Sequence, residues 1–190
     1  MKTTKSVNVK EMNFDKLFKQ ISPEEICNSY NVFKLVGIDF YAVTAGKPDH
    51  YNSMVGSGGG LGILMRKPIV WGGFRTDRYT LELIQKEQTY TLTFFPEEYK
   101  KQLLFLGSKS GRDSEKMKEV ELTPVQTPSG DMSYKEARLI IECGLMQITT
   151  PNPTDFYSQH AKDFINEAYN DENDYRKYVF GEITHVWVKK

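Results

Sequence analysis

The chain has 190 residues, with 25 basic and 25 acidic side chains and a formal net charge of zero. That length suits one domain, spanning 1–190, with a core of its own. Balanced charge removes the electrostatic signature of nucleic-acid or membrane-surface binding, and no run of about 18 apolar residues offers a spanning helix.

The start, Met1-Lys2-Thr3-Thr4-Lys5, is polar with no apolar segment behind it. It does not read as a secretory signal, so a cytoplasmic protein is expected. Cys27 and Cys143 match no disulfide or metal spacing and are expected as free, buried thiols. His50, His160 and His185 are too dispersed along the chain to suggest a His-rich metal site.

Phe14, Leu17, Phe18 and Ile21 fall at helical spacing, with Asn13 as cap and Pro23 as limit. Two β-branched and aromatic runs, Asn31 to Gly37 and Ile38 to Ala45, read as strands. The turn residues Gly46-Lys47-Pro48-Asp49 lead to a returning strand, His50 to Ser57. At Gly58-Gly59-Gly60 the backbone must bend or admit a close neighbour. Pro68 to Phe74 reads as a core strand.

Asp77 is placed to cap a helix reaching about Lys86, and Thr89 to Phe95 alternates like a half-buried strand. Pro96-Glu97-Glu98 opens a helix with the apolar stripe Tyr99, Leu103 and Leu106, which Gly107 is placed to stop. Asp113 is placed to cap a third, short helix to about Glu119. Strands are expected at Leu122 to Gln126, Arg138 to Thr149 and Tyr178 to Val188. Between the last two, Tyr157, Ala161, Phe164, Ile165 and Ala168 mark an amphipathic helix capped by Thr154 or Asp155. Asn170 to Asp174 reads as a solvated acidic loop. Strands without regular βαβ alternation argue against a doubly wound parallel sheet and for a mainly β, antiparallel barrel with peripheral helices.

Two loops concentrate the chemistry. Arg75-Thr76-Asp77-Arg78-Tyr79-Thr80 and Gly107-Ser108-Lys109-Ser110-Gly111-Arg112-Asp113 each follow a hydrophobic element and are read as opening a helix. Cations, hydroxyls and unpaired first-turn amides suit a phosphate. Each loop alone reads equally as a capped turn with solvated charges; the pairing gives them meaning.

The ordered set of Asn52-Ser53-Met54-Val55-Gly56-Ser57, Lys67-Pro68, Arg78-Tyr79-Thr80, Thr91 to Phe95, Gly107 to Asp113, Leu122-Thr123-Pro124 and Glu136-Ala137-Arg138-Leu139 with Glu142-Cys143 resembles the flavin reductase-like proteins. Their fold is the FMN-binding split barrel. The resemblance implies a six-stranded antiparallel split barrel and a homodimer with noncovalent FMN, FAD being less favoured. It also implies NAD(P)H as co-substrate, and electrons passed to free flavin or to another acceptor, an electron-acceptor protein included. It implies that Asn52, Ser53, Met54, Val55 and Ser57 run along the isoalloxazine edge. Arg78, Tyr79 and Thr80 would serve the ribityl-phosphate end, with Ser108, Lys109, Ser110, Gly111, Arg112 and Lys116 forming the second phosphate loop.

Two departures fall on the ring side: Val55 stands where the family has Thr, and Gly58 where it often has Trp. They imply a pocket that is open, or filled by Tyr157 or another aromatic. They also keep two other readings alive, an electron-transfer module without nicotinamide chemistry and a barrel that has lost flavin. Taken singly, Asn52 and Ser53 also read as strand-end residues, Met54 and Trp71 as core, and His160 as a surface histidine or one facing a nicotinamide or acceptor. No catalytic side chain is expected, since hydride transfer to a flavin asks the protein for binding, orientation and electrostatics.

Overall fold

The computed structural model describes residues 13–112, 115–169 and 176–190. Asp113, the loop 170–174 and the polar N-terminal residues lie outside them. The described chain is dominated by one antiparallel sheet. Its strands are β1 (Phe18–Ile21), β2 (Tyr41–Lys47), β3 (His50–Gly56), β4 (Gly60–Leu64), β5 (Lys67–Phe74), β6 (Thr89–Phe94), β9 (Leu139–Thr149) and β10 (Lys177–Lys189). The short strands β7 (Pro124–Gln126) and β8 (Met132–Tyr134) form a separate ribbon.

The sheet order is β3-β2-β6-β9-β10-β5-β4, with β1 also paired to β10. The path from β3 to β5 contains six strands; β1 and β4 extend it beyond the six expected. β10 is the hub: β9 follows one side of it, while its other side meets β5 over Lys177–Glu182 and β1 over Val186–Lys189. Register shifts at Phe180/Gly181 and Ile183/His185 bend it between these partners. The sheet curls far enough for Tyr41 on β2 to reach β5. A Cβ at Gly72 would stand 2.9 Å from the Tyr41 hydroxyl, which donates to the Gly58 carbonyl at 2.8 Å.

The barrel interior is packed by Tyr41, Val43, Met54, Tyr90, Leu92, Phe94 and Ile141, together with Leu81, Leu83 and Ile84 of helix α4 (Tyr79–Glu87). Fully burying each such aliphatic or aromatic side chain is worth about 1.5–3 kcal/mol. On the outer face, helix α5 (Lys100–Ser108) sets Leu103 and Leu106 against Ala42, Phe95 and Tyr134. The β7–β8 ribbon covers the outward hydroxyls of the sheet. Thr44 and Ser53 share a 2.7 Å bond, the Ser53 and Tyr134 hydroxyls a 2.6 Å bond, and Thr93 and Ser133 a 2.7 Å bond.

Several expectations are corrected. The N-terminal helix is a single turn, α1 (Phe14–Leu17); Phe18 to Ile21 instead takes the free edge of β10. There Phe18 stacks on Phe14 at 4.8 Å, and Phe14 meets Trp187 edge-on at 5.2 Å. Eight residues are too few to hold a helix without packing, and a sheet edge satisfies backbone groups better. Pro23 then opens α2 (Pro23–Ser29) with a Ser22/Glu25 capping box.

Asn31 to Gly37 is helical, not a strand: α3 (Val32–Lys34) continues into a π-turn, Leu35–Asp39. Asn31 caps it, accepting from the Lys34 amide at 3.1 Å, and Arg138 anchors its end through Asp39 at 2.7 Å. The following strand therefore begins at Tyr41, not at Ile38. The strand β4, unexpected from sequence, forms a hairpin with β5 whose turn residues, Met65 and Arg66, both take positive φ without glycine. Cys143 is buried as expected, whereas Cys27 is exposed. Among the described residues no helix is long and apolar enough to cross a membrane.

The remaining helices are α6 (Lys116–Glu119) and α7 (Gln159–Tyr169), the latter preceded by a 3-10 turn at Pro153–Asp155. Ser158 sits at the start of α7, accepting from the Ala161 amide at 3.2 Å; Asn152 caps the 3-10 turn. Thr154 and Asp155 therefore do not cap α7.

Candidate functional site

β3 is an edge strand, so one row of its backbone groups has no strand partner. Its side chains alternate. Asn52 and Met54 turn to one side, where a cavity of about 220 Å³ lies between the start of α4 and the loop after α5. Arg78, Tyr79 and Thr80 line it from α4; Lys109, Ser110, Gly111 and Arg112 line it from the loop; Lys116 closes it from α6. Segments some 30 residues apart in the chain thus meet in one cavity, with Asp77 beside them.

Asn52 organises the centre. It is only 3 % exposed, and its Nδ2 donates to Thr80 Oγ1 at 2.8 Å. Its Oδ1 is buried with no partner among the described residues. An acceptor left so costs about 1–3 kcal/mol. Gly111 lies directly over it, and a Cβ there would stand 2.1 Å from Oδ1. Only glycine lets the loop come this close.

The four cations differ in how they are held. Arg112 donates to the Asp77 carbonyl at 2.7 Å, pairs with Glu82, and stacks over the Tyr79 ring at 5.4 Å. Lys109 pairs with Glu119 and lies over Phe105. Arg78 has only a 3.9 Å contact with Asp77, whose carboxylate is already engaged by Arg75 at 3.0 Å. Lys116 is 2 % exposed and reaches no carboxylate among the described residues; its Nζ donates to the carbonyls of Leu106 and Lys109, both at 3.0 Å. Burial, and then the nearby Arg78 charge, push its ammonium down from 10.5 to about 8. Among the described residues, the uncompensated positive charge of the cavity therefore sits on Arg78 and Lys116.

Local structure departs from expectation around both loops. The N-cap of α4 is Arg78, without a side-chain cap bond, and Asp77 is not the cap. α5 runs one residue past Gly107, whose role is contact: a Cβ would stand 2.3 Å from Val55 Cγ1. The second loop opens only a four-residue helix with Glu115 at its N-cap, so the helix-start argument rests on α4 alone. Other candidates point elsewhere. Ser53 is committed to Thr44 and Tyr134 on the outer face, Val55 packs beside the Leu103–Leu106 cluster, and Ser108 Oγ donates to the Phe105 carbonyl at 2.8 Å. Ser57 is exposed and lines a different cavity, beyond the far end of β3. His50, not among the sequence candidates, bonds the Tyr79 hydroxyl at 2.6 Å; its position two residues before Asn52 on a strand was the available signal. Tyr157 is 87 % exposed and fills no pocket.

The arrangement fits a phosphorylated polyol carrying a planar ring. Arg78 and Lys116 supply charge for a phosphate, Asn52 Oδ1 awaits a hydroxyl donor, and the free edge of β3 offers paired donors and acceptors in line. Among the described residues no cluster of His, Cys, Asp and Glu could hold a metal.

Comparison with known families matches residues 43–190 to a flavin reductase-like domain. No curated protein matches the chain. Among solved structures, it resembles an FMN-binding protein from Thermus thermophilus, with a TM-score of 0.61 and 18 % identity over 80 % of this chain and 71 % of that one. Flavoredoxin from Desulfovibrio vulgaris aligns with a TM-score of 0.58 at 20 % identity, covering 78 % and 68 %. A NADH:FAD oxidoreductase from Streptomyces globisporus aligns with a TM-score of 0.56 at 12 % identity, covering 80 % and 78 %. At these identities the structural likeness concerns the split-barrel fold.

Proposed function

Since the chain belongs to the flavin reductase-like family, we propose that the cavity between α4 and the Lys109–Arg112 loop holds the phosphate of a noncovalent FMN. The observation that carries this reading is the convergence of two distant cationic loops on the unpartnered Asn52 Oδ1. Arg78 and Lys116 neutralise the phosphate, and Arg112, tied to Glu82 and Tyr79, shapes the wall. The first amides of α4 add donors of the right sign. Asn52 takes a ribityl hydroxyl. The outer edge of β3 from Asn52 to Gly56 aligns the ring, and its N–H groups favour negative charge at the pyrimidine end. A terminal phosphate carries more charge than either phosphate of a pyrophosphate, which favours FMN over FAD.

Bound there, the flavin would supply the redox chemistry, taking hydride from NADH or NADPH and passing electrons to free flavin or another acceptor. We further take the chain as one cytoplasmic domain acting as a homodimer. The absorbance spectrum of the purified protein, before and after anaerobic NADH or NADPH, tests this. A yellow protein bleached by nicotinamide is expected; a colourless one indifferent to added FMN would overturn the reading. The flavoredoxin likeness favours a second reading, an electron-transfer module, for which the protein is yellow but nicotinamide leaves it oxidised.

A further inference from the structure

A second cavity, of about 330 Å³, lies beyond the Gly56 end of β3 and shares no lining residue with the cation cluster. Its volume is within the range of small-molecule sites, about 300–1,000 Å³. Part of its lining is bare backbone. Gly59 has φ +104°, and a Cβ there would stand 2.0 Å from the Trp71 carbonyl, so the bend after β3 can hug β5 only as glycine. The walls are aromatic. Trp71 meets Tyr178 edge-on at 5.8 Å, and Phe164 of α7 lines the opening while 53 % exposed. Apolar surface left open beside a cavity marks a place for a ligand.

One guanidinium enters this aromatic setting. Arg176 lines the cavity, and its Nε is buried with no partner among the described residues. Among those residues no carboxylate lines the cavity; the other ionisable side chains there are His160 and Tyr178. A desolvated guanidinium N–H without an acceptor is costly, and a carboxylate meets the planar fork of Nε–H and Nη–H with both oxygens. Aromatic walls favour a ring to carry that carboxylate. A neutral ring would leave Nε–H unpaired.

We propose that this cavity is a binding site for aryl carboxylates, with Arg176 as the carboxylate ligand and Trp71, Tyr178 and Phe164 as the ring's enclosure. The site stands independently of the flavin reading and is tested on flavin-free protein. Benzoate is titrated while tryptophan fluorescence is followed, with Trp71→Phe identifying the reporting indole. Benzamide and phenyl phosphate are titrated alongside. Saturable benzoate binding is expected, at least about tenfold tighter than benzamide, since the charge-assisted pair is lost in the amide. Arg176→Met should remove that preference, and Arg176→Lys should keep only part of it. Phe164→Ala, at an exposed position that cannot unfold the core, should weaken benzoate about three- to tenfold. No saturation, equal affinity for benzoate and benzamide, phenyl phosphate binding as tightly as benzoate, or full benzoate affinity in folded Arg176→Met would each overturn the proposal. Should Arg176→Met fail to fold, unchanged benzoate affinity in Phe164→Ala overturns it instead.

Discussion

The two ends of β3 solve different problems with similar residues. At the Asn52 end, cations are plentiful, and most are spoken for. Glu82 and Glu119 hold Arg112 and Lys109 in place, and among the described residues the free charge is confined to Arg78 and the buried Lys116. At the Ser57 end, among the described residues, there is one guanidinium among aromatic rings and no carboxylate lines the cavity. The first is a polar cradle whose charges are positioned by neighbours; the second is a slot whose cation awaits its partner. A count of basic residues would rank the two ends correctly but would miss which cation is unpaired at each.

The strongest way to break this comparison is Arg78→Ala. It should weaken FMN binding about 10- to 150-fold, the worth of a charge-assisted bond to phosphate, and leave riboflavin binding unchanged; fluorescence titration of both flavins decides it. Equal loss for riboflavin would move Arg78 away from the phosphate. Gly111→Ala should cost about tenfold in FMN affinity, because the new methyl overlaps Asn52 Oδ1 and about 1–3 kcal/mol is spent in repacking.

Lys116 gives a pH signature. Its ammonium is depressed to about 8, and a bound phosphate dianion favours its charged form. FMN affinity should therefore be level from about pH 7, where the phosphate is a dianion, to about pH 8 and fall above it, by at most about tenfold per unit. Lys116→Met should abolish the slope. The same depression makes the unliganded fold slightly more stable as pH rises from 8 towards 10.5, since the unfolded chain binds that proton more tightly. Loss of affinity in this window is then not unfolding, and a thermal melt at each pH separates the two. The smallest effect on affinity is expected at Ser53. Ser53→Ala should leave FMN binding unaltered yet lower stability by about 1–3 kcal/mol, because it strands the Tyr134 hydroxyl and Thr44; chemical denaturation measures it.

Legibility from sequence followed the locality of the signal. β6, β9 and β10 were readable because apolar alternation survives in any context. Asn31 to Gly37 was not: its composition suits a strand, but the Asn31 cap and the distant Arg138–Asp39 pair make it helical. β1 was misread because its pattern fits a helix until β10 offers an edge. β4 was hidden by its glycines and by a hairpin turn made of Met65 and Arg66. At the site, Arg78-Tyr79-Thr80 and Lys109 to Arg112 stood out as a pair. The division of β3 into Asn52 and Met54 on one side and Ser53 and Val55 on the other follows from strand period, yet which side holds the cavity does not.

Residue order alone determined that this chain makes a mainly β barrel, carries two cationic loops and has an Asn-Ser-Met strand ahead of them, because strand alternation and turn chemistry are local. Only the tertiary structure decided which charges remain uncompensated, that Gly111 rests on Asn52, and that, among the described residues, the Arg176 Nε stands unpartnered beside aromatic rings. Charge pairing and desolvation depend on distances between segments far apart in the chain, and no local pattern encodes them.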